Sequence, residues 1–576
     1  MKKTSTLVKL GALVASAATV FALAACGNNN AGSGSAKSES AAGTPVNYSG
    51  TLPMPKKVGV YNNPKSRDQL KDNGSVTYPI VELGPDWNTW SVNGNTLYMK
   101  TLWSYYMPVL WTYNVDGSKV TPNKNYVTDY NVKTVAGKQT ITLNFNPKAK
   151  WNDGTPIDWT AVEAARKVQS GKDQSYTPAS TTGWDQVESV KQGTSSKQAV
   201  VTMKTPFYPA YSFLDIYPPQ AASVNAYTKG WSNNPHDKDW GAGPYIVKSL
   251  SSSQVTFKPN PKWWGDKPKM TTVTYKVLEA QAQINAFKNG EIDTVSLSSK
   301  DDLKTVASVK GATIRRGYSP TVAVFQMNTT RPQLKDINVR QAIVQAINRK
   351  QLDDLANAGI DWSEEVPGSE LTYPTQSSYE DNMPKDSGYS VANARKTLEK
   401  AGYKMGSDGY YAKNGKTLAL SYTTFSDSQK TKANGLAVQK MLKAAGIKLT
   451  IDNQPSSNFS TTLTSGNWDI VRMGWSSLTP TDAFSSGYQL YGSDSQSNYT
   501  HVGTKEIDEA FKKVPSIKDP KQQVDTMNAA EKKALALYGT FPYYNGPIMG
   551  AYAKGLANVG PSGWQTVLRE NVGWEK

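Results

Sequence analysis

One cysteine, Cys26, and two histidines, His236 and His501, are all that 576 residues offer of the side chains most used for disulfides, thiol catalysis and metal ligation. A single Cys excludes an internal disulfide and any two-Cys metal site. Neither His has a metal-ligand partner at helical spacing. The chain has no H-E-x-x-H, no G-x-S-x-G elbow, no P-loop and no G-x-G-x-x-G after a strand. No cofactor is therefore expected. The net charge is +17, yet no block of five or more Lys/Arg occurs, nor any zinc-finger or RNA-binding signature. The basic residues read as a scattered, solvated surface facing anionic lipid and cell wall, and nucleic acid is not an expected partner. After residue 25 no stretch reaches 18 consecutive apolar residues, so no second membrane span is expected.

What is present begins at the lone thiol. Lys2, Lys3 and Lys9 form a basic n-region, and "LGALVASAATVFALA" (10–24) an apolar h-region. That run has signal-peptide length, short of the roughly 20 residues of a spanning helix. Leu23-Ala24-Ala25-Cys26 resembles the lipobox of bacterial lipoproteins, in which cleavage leaves a lipid-modified Cys26. The alternative is an ordinary secretory signal with an incidental Cys. Residues 26–52, rich in Asn, Gly and Ser, read as a tether that buries too little to fold. The remaining length calls for two or three domains.

Along the folded part, strand and helix signals alternate. A strand is expected at 77–83 and a helix at 96–110. Two short strands flank Asp116-Gly117, and a half-buried strand covers 139–145. In 151–167 Asp158 or Thr160 caps a helix, and Thr160 with Glu163 fits a capping box. A strand covers 273–277, and a helix at 280–289 ends on Gly290. Another strand covers 321–327, and helices cover 338–348 and 391–401. A strand at 418–423, a helix to Ala445 and a strand at 447–451 make a parallel crossover. Helices near 504–513 and 520–538 complete a mixed α/β chain. Two of the 47 Asp and Glu residues meeting in space keep a secreted hydrolase open. The 16 Trp would suit sugar stacking in an enzyme or a binder.

Six segments in order resemble the bacterial solute-binding proteins of the peptide/nickel type, family 5. They are "WNDGTPIDWTAVEAARK" (151–167), "GAGPYIVKSLSSSQVTFKPNPKWWGDKP" (241–268), "INAFKNGEIDTV" (284–295), "FQMNTTRPQLKDINVRQAIVQAINR" (325–349), "ARKTLEKAGY" (394–403) and "MLKAAGIKLTI" (441–451). The resemblance implies a two-lobed, periplasmic-binding-protein-like α/β fold of the large type, with a hinge and an extra subdomain. Residues 1–25 would be a signal peptide and 26–52 a lipid-anchored tether. Lobe I would cover 53–329 with an insert at about 111–232, lobe II 330–545, and 546–576 would return to lobe I. The hinge would lie near Asn328–Thr330 and Tyr543–Gly546. The implied function is an ABC-importer binding protein, not an enzyme. It would be a monomer on the outer face of the cytoplasmic membrane, delivering oligopeptides to a permease; an oligosaccharide or other non-peptide solute is the alternative in this fold.

Peptide-binding members carry G-W-x-x-D, whose Asp takes the peptide's α-ammonium. Here "IVRMGWSSLTPTDAF" (470–484) matches at Gly474 and Trp475, but Leu478 stands at the Asp position. Either Asp482 substitutes, or the site accepts blocked or non-peptide ligands. Arg472 shares a strand face with Gly474, and in some peptide binders the matching Arg meets the C-terminal carboxylate. Trp475 is expected as a cleft wall. Asn93 and Asn95 would face the cleft after the first strand of lobe I. Trp184 and Tyr543 are further candidates.

Overall fold

Alternation of apolar and polar residues in "KQTITLNF" puts Gln139, Ile141, Leu143 and Phe145 on one buried face, and Lys138–Phe145 is a strand. The computed structural model describes residues 54–576 apart from 56 and 233–237. Cys26, the leader and the expected tether lie outside the described residues. Lys138–Phe145 pairs with Val127–Val135 and Gln198–Met203, and Val187–Gln192 completes a four-stranded antiparallel sheet. Helix Trp159–Gln169 packs on it. Asp158 caps that helix, accepting from Thr160 N at 2.9 Å. The expected capping box does not form, because Glu163 is bound to Arg166 one turn on.

A second sheet has Gly74–Ile80 parallel to Met270–Val277, followed by Gln254–Pro259 and Tyr245–Leu250. Together these two sheets enclose one large core, which includes fully buried Trp151 and Trp231. Trp231 Nε1 donates to Tyr217 Oη at 2.8 Å, so its one polar atom is satisfied inside. Truncating such a Trp to Ala costs about 3–5 kcal/mol.

The other large core lies on a five-stranded sheet. Its order is Lys448–Gln454, Ala419–Phe425, Ile470–Ser476, Thr321–Met327, Thr540–Tyr544. The strand–helix–strand unit forms as its periodicity predicts. Ser428 caps helix Gln429–Ala444 through Thr431 N, Gly446 turns the chain at φ +81°, and the flanking strands are parallel.

Thr321–Met327 departs from the sequence expectation. The resemblance places residues 53–329 together in lobe I, whereas this strand lies between Ile470–Ser476 and Thr540–Tyr544. Just before it, Ala312–Tyr318 pairs with Pro547–Ala553 in a separate three-stranded sheet with Thr294–Ser296. The chain thus passes between sheets at Ser319-Pro320 and again at Asn545-Gly546, side by side and antiparallel. The buried run Val322–Met327 decides this, since a strand apolar on both faces needs a sheet covered on both sides.

Candidate functional site

Strands Ala419–Phe425, Lys448–Gln454 and Ile470–Ser476 are mutually parallel, and their C-terminal ends open on one cavity of about 590 Å³. That is where open α/β sheets hold ligands. Phe425, Ser426, Ser456 and residues 472–478 line this side. The opposite side comes from the first large body, through Val81, Val92, Asn93, residues 95–98 and Lys100. There Gly94 lets the loop close on itself, since a Cβ would lie 2.2 Å from Asn88 O. Thr96 caps helix Leu97–Tyr106 by accepting from Met99 N.

Ile470–Ser476 carries the recognition elements. Thr321–Met327 pairs with its whole length, but its ladder to Ala419–Phe425 stops at Thr423↔Val471. Residues 472–476 therefore present one strand edge to the cavity. Gly474, exposed and lacking a side chain, keeps that edge approachable. Arg472 Nε donates to Tyr543 Oη at 2.6 Å, and the neighbouring phenols favour its charged form, Tyr543 first. No carboxylate lies within ion-pair distance of it among the described residues. Lys430, in the first turn of its helix, donates to Tyr544 Oη at 2.9 Å, with its ammonium 4.2 Å from that ring centroid. Burial, then the Arg472 charge, brings Lys430 down to about 7. Two cations thus share one end of the cavity, with no carboxylate at ion-pair distance from either among the described residues.

Trp475 is half-buried and stacks on Tyr499, 6.3 Å between ring centroids and 13° between planes. Among the described residues its buried Nε1 and Asn545 Oδ1 have no hydrogen-bond partner, and both residues line the cavity. Asp482 also lines it, but its carboxylate is occupied. Oδ2 accepts from Leu478 N (2.7 Å) and Thr479 N (3.1 Å), and Oδ1 accepts from Thr479 Oγ1. It holds the 478–479 loop. Leu478, 48 % exposed, faces the cavity in its place.

Of the residues singled out from sequence, Arg472, Gly474, Trp475, Asp482, Asn93 and Asn95 meet at this cavity. Trp184 does not. It is 5 % exposed, packed edge-on against Phe213 at 5.2 Å and near Trp90, as part of the large core enclosed by the first two sheets. Tyr543, 1 % exposed, lies behind Arg472 rather than on the wall. Lys430, Tyr544, Tyr98, Phe459 and Lys100 are cavity residues that the sequence reading missed. The available signal for Lys430 was its place just after the first strand of the crossover, at the sheet's carboxyl edge.

Residues 124–498 match the family model "Bacterial extracellular solute-binding proteins, family 5 Middle". The oligopeptide-binding protein OppA of Mycobacterium tuberculosis is 29% identical over 538 residues, covering 91% of this chain and 89% of the relative. Among solved structures, the periplasmic EDTA-binding protein EppA superposes with TM-score 0.76 at 21% identity, over 91% of this chain and all of that one. The oligopeptide-binding protein AppA of Bacillus subtilis, solved with a nonapeptide, gives 0.75 at 17% over 88% of this chain and all of that one. These neighbours share the two-lobed binding-protein fold. Its cavity between two bodies, and a match across most of its length, make this chain a solute-binding protein rather than an enzyme, a member of the bacterial extracellular solute-binding proteins of family 5.

Proposed function

We propose that the protein captures oligopeptides outside the cytoplasmic membrane and delivers them to an ABC permease. The observation that carries this reading is the open strand edge at 472–476 beside the uncompensated Arg472/Lys430 pair. An extended peptide can add to that edge through its own N–H and C=O groups. Its terminal carboxylate then meets the two cations, a charge-assisted contact in a low-dielectric site. The names of the M. tuberculosis and B. subtilis proteins point to the same ligand class.

In this reading one lobe is 54–318 with 547–576, and the other is 321–544. The two crossings at 319–320 and 545–546 form the hinge. Closure around a ligand shifts an open/closed equilibrium by differential affinity. The lipobox-like Leu23–Cys26 makes Cys26 the anchor, with 26–52 as tether and the protein acting as a monomer. Two acyl chains suffice for stable anchoring where one is marginal. The tether keeps the binder concentrated near its permease.

The test is titration calorimetry with one peptide as free acid and as C-terminal amide. The amide should bind about 100-fold more weakly, or roughly 2.7 kcal/mol. Equal affinities would remove the Arg472/Lys430 carboxylate site, and absence of binding by any free-acid peptide would remove the peptide reading.

A further inference from the structure

A second cavity, of about 350 Å³, continues from the first, and Leu97, Lys100 and Leu478 line both. Its walls are helix Leu97–Tyr106 and the segment 563–570. Tyr126 and Trp263, 5.8 Å between ring centroids, add aromatic surface. Glu570 lines this cavity and is only 4 % exposed. Among the described residues its carboxylate has no ion-pair partner and no side-chain hydrogen bond; its own backbone amide and, more weakly, the Arg67 charge favour its ionised form.

Arg67 and Arg569 donate to other groups, and Lys100, which lines both cavities, senses the Asp482 charge rather than that of Glu570. Arg67 donates through Nη1 to the backbone carbonyl of Glu570 (2.9 Å) and to Asn571 Oδ1 (2.7 Å). Arg569 donates from Nε to Ser104 Oγ at 2.8 Å, its guanidinium 4.8 Å from the Tyr105 ring centroid. Burial pushes the Glu570 carboxyl up to about 7, as for an acid without a counter-ion. A buried carboxylate is costly until a cation pairs with it.

Two acids line the main cavity: the Asp482 carboxylate is held by the 478–479 loop, and Glu370 accepts from Thr540 Oγ1. Resting on the peptide reading above, we infer that the second cavity receives the amino-terminal end of the bound peptide, with Glu570 as the partner of its α-ammonium. The peptide then runs antiparallel to Ile470–Ser476, carboxylate at Arg472 and amine beyond Leu478. The strand steps from 472 to 476 alone span about 14 Å. A ligand engaging both ends therefore needs more than about five residues. Shorter peptides fill only the first cavity.

The experiment uses an eight-residue peptide of alanine and serine and its three-residue counterpart, each with a free and an acetylated amino terminus. Calorimetry compares the wild-type protein with Glu570→Gln. Acetylation should weaken the longer peptide about 100-fold in the wild type and little in the variant, leaving the tripeptide nearly unchanged in both. Should Glu570→Gln fail to fold, Gln565→Lys, at an exposed residue of the same cavity, serves instead. It should weaken the longer free-amine peptide at least tenfold and spare the tripeptide. Acetylation that weakens wild type and Glu570→Gln alike, or neither, overturns the assignment. So does a Gln565→Lys protein that binds both lengths normally. Loss of affinity on C-terminal amidation with no effect of acetylation leaves the peptide reading standing and this inference refuted.

Discussion

Arg472 and Tyr543 sit two strands apart in the five-stranded sheet and are joined by a 2.6 Å hydrogen bond from Nε to the phenol oxygen. The phenol ring is itself fixed by Phe325, 4.8 Å between centroids. The guanidinium is thereby aimed before any ligand arrives. Tyr543→Phe keeps the ring packing and removes the bond. A hydrogen bond to a charged group contributes about 1.5–3 kcal/mol. Affinity for free-acid peptides should fall about tenfold or more, while C-terminal amides bind as before. A parallel loss for both ligands in calorimetry would mean that Tyr543 acts on packing alone.

Lys430 should make capture depend on pH. Its ammonium, held down to about 7 by burial and then by Arg472, is opposed by the more weakly felt Glu364, Asp353 and Asp302. The charged form exists below that value, and an anionic ligand favours it. Affinity for free-acid peptides should therefore fall as pH rises from about 6 to 8.5, by at most tenfold per unit for one proton. Lys430→Met should bind more weakly at pH 6 and show a flat profile. A wild-type profile already flat across this range counts against the lysine.

Glu370 gives a stability signature. It is buried beside Glu531, and burial first, with the Glu531 charge after it, raises its carboxyl from 4.5 to about 8. Between those values the folded chain keeps a proton that the unfolded chain has released. Its stabilising contribution is full below about 4.5 and lost as pH rises through 8, at up to about 1.4 kcal/mol per unit. Glu370→Gln can still accept from Thr540 Oγ1, 2.6 Å from Oε1. Urea unfolding at pH 5 and 8.5 should show a smaller fall for the variant, and equal falls would contradict this account.

Gly474 tests the strand edge. A Cβ there would meet Thr321 Cγ2 at 3.2 Å, a contact that small adjustments relieve. Gly474→Val should fold with little change in melting temperature, yet its branched side chain would keep a peptide backbone off residues 472–476. Peptide affinity should fall at least tenfold. Unchanged affinity would place the ligand on another wall.

Cys26→Ala should move the protein from the membrane fraction to the medium, or leave it unprocessed. A variant that stays membrane-bound and is cleaved normally would rule out the lipid anchor.

Much of this was legible in local patterns. The crossover at 418–451 could be read because its strands, cap and Gly446 are consecutive in the chain. Arg472, Gly474 and Trp475 lay on one strand whose period places alternate side chains together. What could not be read depends on partners distant in sequence. The Asp158 cap prevailed over the Thr160/Glu163 box because Arg166 claims Glu163. Thr321–Met327 belongs to its sheet through residues 470–476 and 540–544, which no local window contains. Lys430 meets Tyr544 more than a hundred positions away, and Glu570 reaches a cavity shared with Leu97 and Leu478 only by the chain's return. Trp184 and Tyr543 misled because a large aromatic packs a core as readily as it lines a cleft.

The three-stranded sheet of Thr294–Ser296, Pro547–Ala553 and Ala312–Tyr318 has its latest strand in the middle. During synthesis or export the two outer strands emerge more than two hundred residues before the one that joins them. The five-stranded sheet is complete once residue 544 is free, whereas this smaller sheet has no central strand until 553 arrives. Of these two sheets the smaller is therefore completed later, and the strand that completes it is covalently continuous with Thr540–Tyr544. A chain cut short after 546 would keep every strand of the larger sheet and leave Thr294–Ser296 and Ala312–Tyr318 as unzipped edges, a ready substrate for quality-control proteases.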